Sequence, residues 1–166
     1  MLYPESAGES LDFHLLKGYV AQHAASRKGR EALLVMEPNP VQREVEPALL
    51  QSDELLQLME RGHYFPALAM AEVDDALPLL RIQNAVLDAE QFMAIKAQAE
   101  SYANGYRFML THEEDAPMLA SRLKPFPPIP EIPTAIDRVL ERNGQVKSNA
   151  SPELSRIRQD RKSTRL

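Results

Sequence analysis

Cysteine and tryptophan are absent from this sequence of 166 residues, and glycine occurs only six times. Without cysteine there is no disulfide framework and no thiolate metal site, which agrees with a reducing compartment. Long apolar runs are missing too. Stretches such as residues 70–71 and 76–80 are interrupted by charge or proline well short of the ~20 residues a membrane span needs, so no membrane partner is expected. The opening MLYPESAGES has neither a basic start nor an apolar signal core. Nothing there marks the chain for export, and the cytoplasm is the expected location. Positive charge is also in deficit: 19 Lys and Arg against 24 Asp and Glu leave a formal net charge of −5, the reverse of what a self-sufficient duplex-DNA binder carries.

Catalytic signatures are missing as well. The sequence holds no phosphate-cradling G-x-x-x-x-G-K-[ST], no dinucleotide-type glycine run, no H-E-x-x-H and no G-x-S-x-G. Its histidines, His14, His23, His63 and His112, fall on separate predicted elements, none beside a second zinc-type ligand at helix spacing. Glu113, Glu114 and Asp115 form the densest acidic group, which reads as a solvated turn ahead of a hard-cation site. Tyr102 and Tyr106, at helical spacing among Phe92, Ile95 and Met109, read as core ahead of a base-stacking platform. No catalytic, cofactor-binding or metal-binding residue is assigned to the chain.

What the sequence does have is helical pattern, broken by thirteen prolines. Phe13, Leu16 and Val20 predict an amphipathic helix over residues 10–24 with Ser10 as its N-cap, and Ser26 caps a second short helix over 30–36. Val41, Val45, Leu49 and Met59 place a long helix over 41–61, stopped by Gly62 and kinked or split near Val45 by Pro47. A loop at 63–66 and a short helix at 73–82 come next. Asp88 caps the spine of the chain, a helix over 88–110 striped by Phe92, Ile95, Ala99, Tyr102, Tyr106 and Met109. KPFPPIPEIP reads as a non-helical, polyproline-like strap. Ile136, Val139 and Leu140 then edge a short helix, and Asn143–Gly144 signals a tight turn or small hairpin. Ser151 and Pro152 start a last helix whose apolar stripe, Leu154 and Ile157, the chain end cuts off. The fold class expected is mainly α: an irregular multi-helix core with a proline-rich strap and a short turn or hairpin near the C-terminus. Residues 1–147 form the helical core segment, and 148–166 begin a long helix.

The tail beyond Ser148 is the one basic stretch, with Arg156, Arg158, Arg161, Lys162 and Arg165 against Glu153 and Asp160. Arg156 and Arg158 are the candidate nucleic-acid contacts, the alternative being a solvated helix face.

Three segments resemble the bacterial MutS-two proteins, Smr-type endonucleases related to the MutS mismatch-repair ATPases. MLYPES with LDFHLLKGYVAQHAASRKGRE is similar to the family's opening, where Ser26, Gly29, Arg30 and Glu31 match its Ser-x-x-Gly-Arg-Glu turn. VLDAEQF is similar to the start of its next long helix. IDRVLERNGQVKSNASPELSRIR is the most specific: Gly144, Val146, Ala150, Ser151, Pro152, Leu154, Ile157 and Arg158 match the passage into the family's lever and clamp helices. Arg142 and Asn143 depart from it, standing where acidic residues are expected.

The resemblance implies an N-terminal core and lever segment of a larger, MutS-like core. It implies a parent that binds ATP and magnesium, dimerises through an ATPase domain absent here, and acts on branched or recombining DNA or on stalled ribosomes, with nuclease activity in prospect. The segment itself would be a structural connector with no cofactor of its own. A free-standing helical protein–protein adaptor is the alternative. The ending RKSTRL, residues 161–166, is also similar to a translated sequencing adapter, which would remove Arg161, Lys162 and Arg165 from the native tail.

Overall fold

The computed structural model describes residues 7–68 and 70–163; the opening MLYPES and the last three residues of the adapter-like ending lie outside them. The described backbone is mainly α, as expected. Its helices are α1 Ala7–Ser10, α2 Phe13–Ala21, α3 Arg27–Leu34, α4 Gln42–Glu60, α5 Ala76–Leu79, α6 Ala89–Thr111, α7 Pro117–Leu123, α8 Glu131–Val139 and α9 Pro152–Ser163. Among the described residues, β pairing is limited to an isolated antiparallel bridge between Leu140 and Val146. The chain forms two compact units, one of Met1–Met70 with Asn104–Pro127, the other of Ala71–Ala103 with Pro128–Leu166. The long α6 contributes its first part to the second unit and its last part to the first.

In the first unit, the single helix expected over 10–24 is two. Ser10 closes α1 and does not cap α2. The chain turns at Leu11–Asp12, and Asp12 stands at φ 52° as the N-cap residue of α2, with no side-chain cap bond. A short polar Asp tolerates that left-handed backbone where an apolar residue would not. Ser26 caps as expected: its hydroxyl accepts from the Gly29 N–H at 3.0 Å, and α3 begins at once, three residues earlier than the apolar pattern indicates.

The long helix α4 corrects the break expected at Pro47. It runs unbroken through the proline. Asn39 prepares its start, its side-chain oxygen accepting from the Val41 N–H while its amide donates to Glu44. The first four N–H groups of any helix have no partner within it. Pro47 is the sixth residue of α4, so it removes one bond, to the Arg43 carbonyl, at the edge of that already unpaired turn. Gly62 ends the helix at φ 84°, with its own N–H on the Met59 carbonyl and the His63 N–H on Leu58. This is the double-bonded left-handed stop that only glycine takes without strain.

Leu58, Met109 and Ala116 form the buried centre of this unit, with Phe65, Phe108, Leu119 and Leu123 packed around them. α7 was not expected from the sequence. Ala116 at its N-cap offers no side chain for capping, yet the Glu54 carboxylate on α4 accepts from both Met118 N–H and Leu119 N–H at 2.9 Å.

In the second unit, the helix expected over 73–82 shrinks to the single turn α5, which contains Pro78. Asp88 and Gln91 open α6 with a reciprocal pair, Asp88 accepting from the Gln91 N–H at 2.8 Å and Gln91 from the Asp88 N–H at 3.0 Å. The proline strap is shorter than KPFPPIPEIP: α8 starts at Glu131 and carries Pro133 as its third residue. A proline in the first turn costs no hydrogen bond, because that N–H has no intrahelical partner anyway. Among the described residues, Ala76, Leu87, Ile136 and Leu140 are the buried apolar residues of this unit.

Candidate functional site

The most specific sequence segment, residues 136–158, folds into one compact joint in the second unit. α8 delivers Ile136 and Leu140 inward, and Leu140 pairs with Val146 across a small hairpin. The hairpin is closed by Glu141 N–H on the Gln145 carbonyl and Lys147 N–H on the Val139 carbonyl, both 2.8 Å. Gly144 turns it at φ 78°, and the Asn143 side chain accepts from the Gln145 N–H at 3.0 Å. The Asn-Gly expectation is thus met by a hairpin turn that uses both residues.

Two cationic side chains brace α8, one tying it to α6 and the other to this hairpin. The Lys96 ammonium on α6 pairs with the Asp137 carboxylate and lies 3.7 Å from Glu100, while Lys147 donates to the Asp137 carbonyl. Lys96 is only 13% exposed at its side chain. Its hydrogen bond to Asp137 raises its pKa above the usual 10.5, burial opposes this, and the Glu100 and Asp137 charges add to the rise.

α9 leaves the joint in a defined way. The Ser151 hydroxyl accepts from the Leu154 N–H at 3.1 Å, with Pro152 as the first helical residue. Arg158, one turn further on, reaches back: its guanidinium donates to the Ser148 hydroxyl at 2.8 Å and to the Val146 carbonyl at 3.4 Å, and the Ser155 hydroxyl donates to the Ser148 carbonyl at 3.0 Å. The hairpin and the helix are therefore cross-linked by three bonds centred on Ser148 and Val146.

The structure does not bring the two candidate nucleic-acid residues together. Arg156 is exposed, and Arg158, two positions on, points ~200° away round the helix. Arg158 gives two of its five N–H donors to the joint. The open groove beside the hairpin, about 1040 Å³, is lined by Lys96, Arg142 and Lys147 but equally by Glu100, Asp137 and Glu141. Three cations against three anions leave no net positive charge for phosphate. Ser148, Lys96 and Asp137 were not legible as partners, since nothing local marks bonds that span ten and forty-one residues.

In the first unit His63 and His112 come together, ring centres 4.4 Å apart, with Phe108 4.7 Å from His112. Among the described residues no group of three His, Cys, Asp or Glu is placed to hold a metal ion. The acidic turn is engaged with cations: Asp115 pairs with Arg61 and Glu113 with Lys124. Tyr102 and Tyr106 are half-buried. No glycine-rich turn precedes a helix start, so these residues do not fit an ATP phosphate chain. Among the described residues no helix is long and apolar enough to cross a membrane.

No family model and no solved structure matches the chain. Curated proteins do. It is 25% identical over 152 residues to endonuclease MutS2 of Bacillus velezensis, an alignment covering 90% of this chain and 19% of that protein. It is 26% identical over 149 residues to endonuclease MutS2 of Symbiobacterium thermophilum, covering 90% and 18%. To the putative endonuclease MutS2 of Bacillus subtilis it is 25% identical over 152 residues, covering 90% and 19%. The chain spans about a fifth of the length of the curated relatives it matches.

Proposed function

From its relationship to the MutS2 endonucleases, which runs over nine tenths of its length, we propose that the chain is a core and lever segment of a MutS-like ATPase that acts on DNA. Its part in that protein is mechanical. The observation that carries this reading is the cross-linked joint of Lys96, Asp137, Lys147, Ser148 and Arg158, which fixes the direction in which α9 leaves the hairpin. A connector that passes on the state of a distant ATPase needs stiff elements of this kind and no reactive side chains.

A second observation supports a larger parent. Among the described residues the buried apolar set is small and four of its nine members are alanine, while large side chains such as Leu11, Tyr19, Val35 and Leu49 are exposed. A chain of this length alone buries about 70% of its surface, and apolar patches left open mark contact surfaces. In this proposal ATP and magnesium belong to the parent's ATPase domain, which also makes the homodimer. The protein is cytoplasmic, and its target is branched or recombining DNA, or alternatively a stalled ribosome.

The test is the genomic reading frame beyond Leu166, followed by activity of the whole product. An in-frame phosphate-binding loop, ATP hydrolysis and preference for a four-way DNA junction over linear duplex support the proposal. A stop codon after Leu166 in intact genomic sequence overturns it and favours the free-standing adaptor. Binding to ribosomes with no junction preference reassigns the target.

A further inference from the structure

We propose that α4 carries a docking seam for a basic amphipathic helix of another protein segment. The inference stands on α4 alone and does not depend on the MutS-like reading. One face of α4 is already occupied: Gln51 accepts from Arg122, Glu54 caps α7 and Leu58 is fully buried. The opposite face is open, with Leu49 63%, Leu56 53% and Met59 43% exposed. Val45, Leu49, Ser52, Leu56 and Met59 follow one another at steps of four, three, four and three, the seam spacing by which helices pair side by side.

What makes the seam selective is its edge. Glu46, Asp53 and Glu60 repeat at steps of seven, immediately after Val45, Ser52 and Met59, and all three are exposed. They line one side of the apolar stripe with negative charge. Arg43, the cation within α4, sits ~120° round the helix from Leu49 and off the seam. Flanking charges of this kind set partner choice in paired helices. A second copy pairing seam to seam in antiparallel fashion would set acidic edge against acidic edge, which is unfavourable. A helix with leucine or isoleucine on its seam and Lys or Arg beside it fits both the apolar stripe and the row of carboxylates.

The test uses the 166-residue protein and two labelled synthetic 21-residue helical peptides with leucine at the seam positions, one carrying lysine and the other glutamate at the flanking positions. Fluorescence anisotropy at low salt is expected to show the lysine peptide binding at least tenfold more tightly. The Asp53→Lys, Glu60→Lys double variant should reverse that preference, and Leu49→Ser with Leu56→Ser should abolish binding while circular dichroism and urea melts stay as in the parent. Equal affinity for the two peptides overturns the proposal, as does binding unchanged by the leucine substitutions. Concentration-dependent dimerisation in sedimentation runs, lost in the Leu49→Ser, Leu56→Ser variant, would give the seam to a second copy and also overturn it.

Discussion

Glu54 gives a quantitative handle on how α7 exists at all. Replacing Glu54 with alanine removes the acceptor for two N–H groups, Met118 and Leu119, that no residue of α7 or its N-cap can serve. Two scales bear on the cost. Hydrogen bonds to charged groups contribute about 1.5–3 kcal/mol each when measured by mutation, whereas loss of a helix N-cap side chain costs about 0.5–2 kcal/mol in all. Glu54 is half-buried, so water can partly replace it, and the capping scale is the better guide. We expect about 2 kcal/mol for Glu54→Ala, at the upper end because both bonds go. Glu54→Gln keeps one acceptor oxygen but loses the charge that complements the helix N-terminus, and should cost about 1 kcal/mol. With a urea slope of about 2 kcal/mol per M, the alanine midpoint falls by about 1 M. Hydrogen exchange should show the first-turn amides of α7 losing protection first. Midpoints unchanged within about 0.3 kcal/mol in both variants, or α7 amides as protected as before, would refute the assignment of Glu54 as the cap.

Gly144→Val should destabilise by about 1–2 kcal/mol in denaturant melts, because the hairpin holds φ at 78° while a Cβ at this position would meet Met93 only at 4.0 Å. The cost is thus backbone strain, and Gly144→Asn, which tolerates that backbone, should recover most of it. The Lys96 pKa is raised in the folded state, so its contribution is fully present below pH 10.5 and lost as pH rises through the raised value. The stability gap between the parent and Lys96→Met, followed by urea melts, should therefore be constant from pH 7 to 9 and narrow above pH 10.5. Ser101→Ala should be neutral or stabilising by up to about 1 kcal/mol, since the Ser101 hydroxyl is buried with no hydrogen-bond partner among the described residues. A clear loss of stability in that variant would point to a partner for the hydroxyl.

The sequence was most readable where structure is decided within four residues. Ser26, Asp88 with Gln91, Ser151 with Pro152, Gly62 and Asn143–Gly144 each act on their own turn, and each does what its type dictates. Two prolines misled in the same direction for one reason. Pro47 and Pro133 look like breakers by identity, but their cost depends on distance from a helix start: Pro133 in the first turn loses nothing, and Pro47 just after it loses one bond. α7 escaped notice because its cap arrives from Glu54, sixty-four residues away. The pairing of His63 with His112 and the bond of Arg158 to Ser148 are equally products of packing, with no local trace. The family resemblance, by contrast, was legible in part because three of its matching residues, Gly144, Ser151 and Pro152, are turn and helix-start residues whose identities backbone geometry constrains.

Arg158 has a double candidacy: two of its five N–H donors go to Ser148 and Val146, and a phosphate competes for them. A guanidinium that donates to Ser148 and Val146 fixes α9, and one turned outward to a phosphate releases it. The bonds at stake are exposed and individually modest, on the order of 1 kcal/mol, so a phosphate contact of similar strength could compete for the same donors. Ser151 and Ser155 continue to hold the helix start when Arg158 lets go, through the Leu154 N–H and the Ser148 carbonyl. Losing the Arg158 bonds would therefore loosen the direction of α9 without unfolding its first turn.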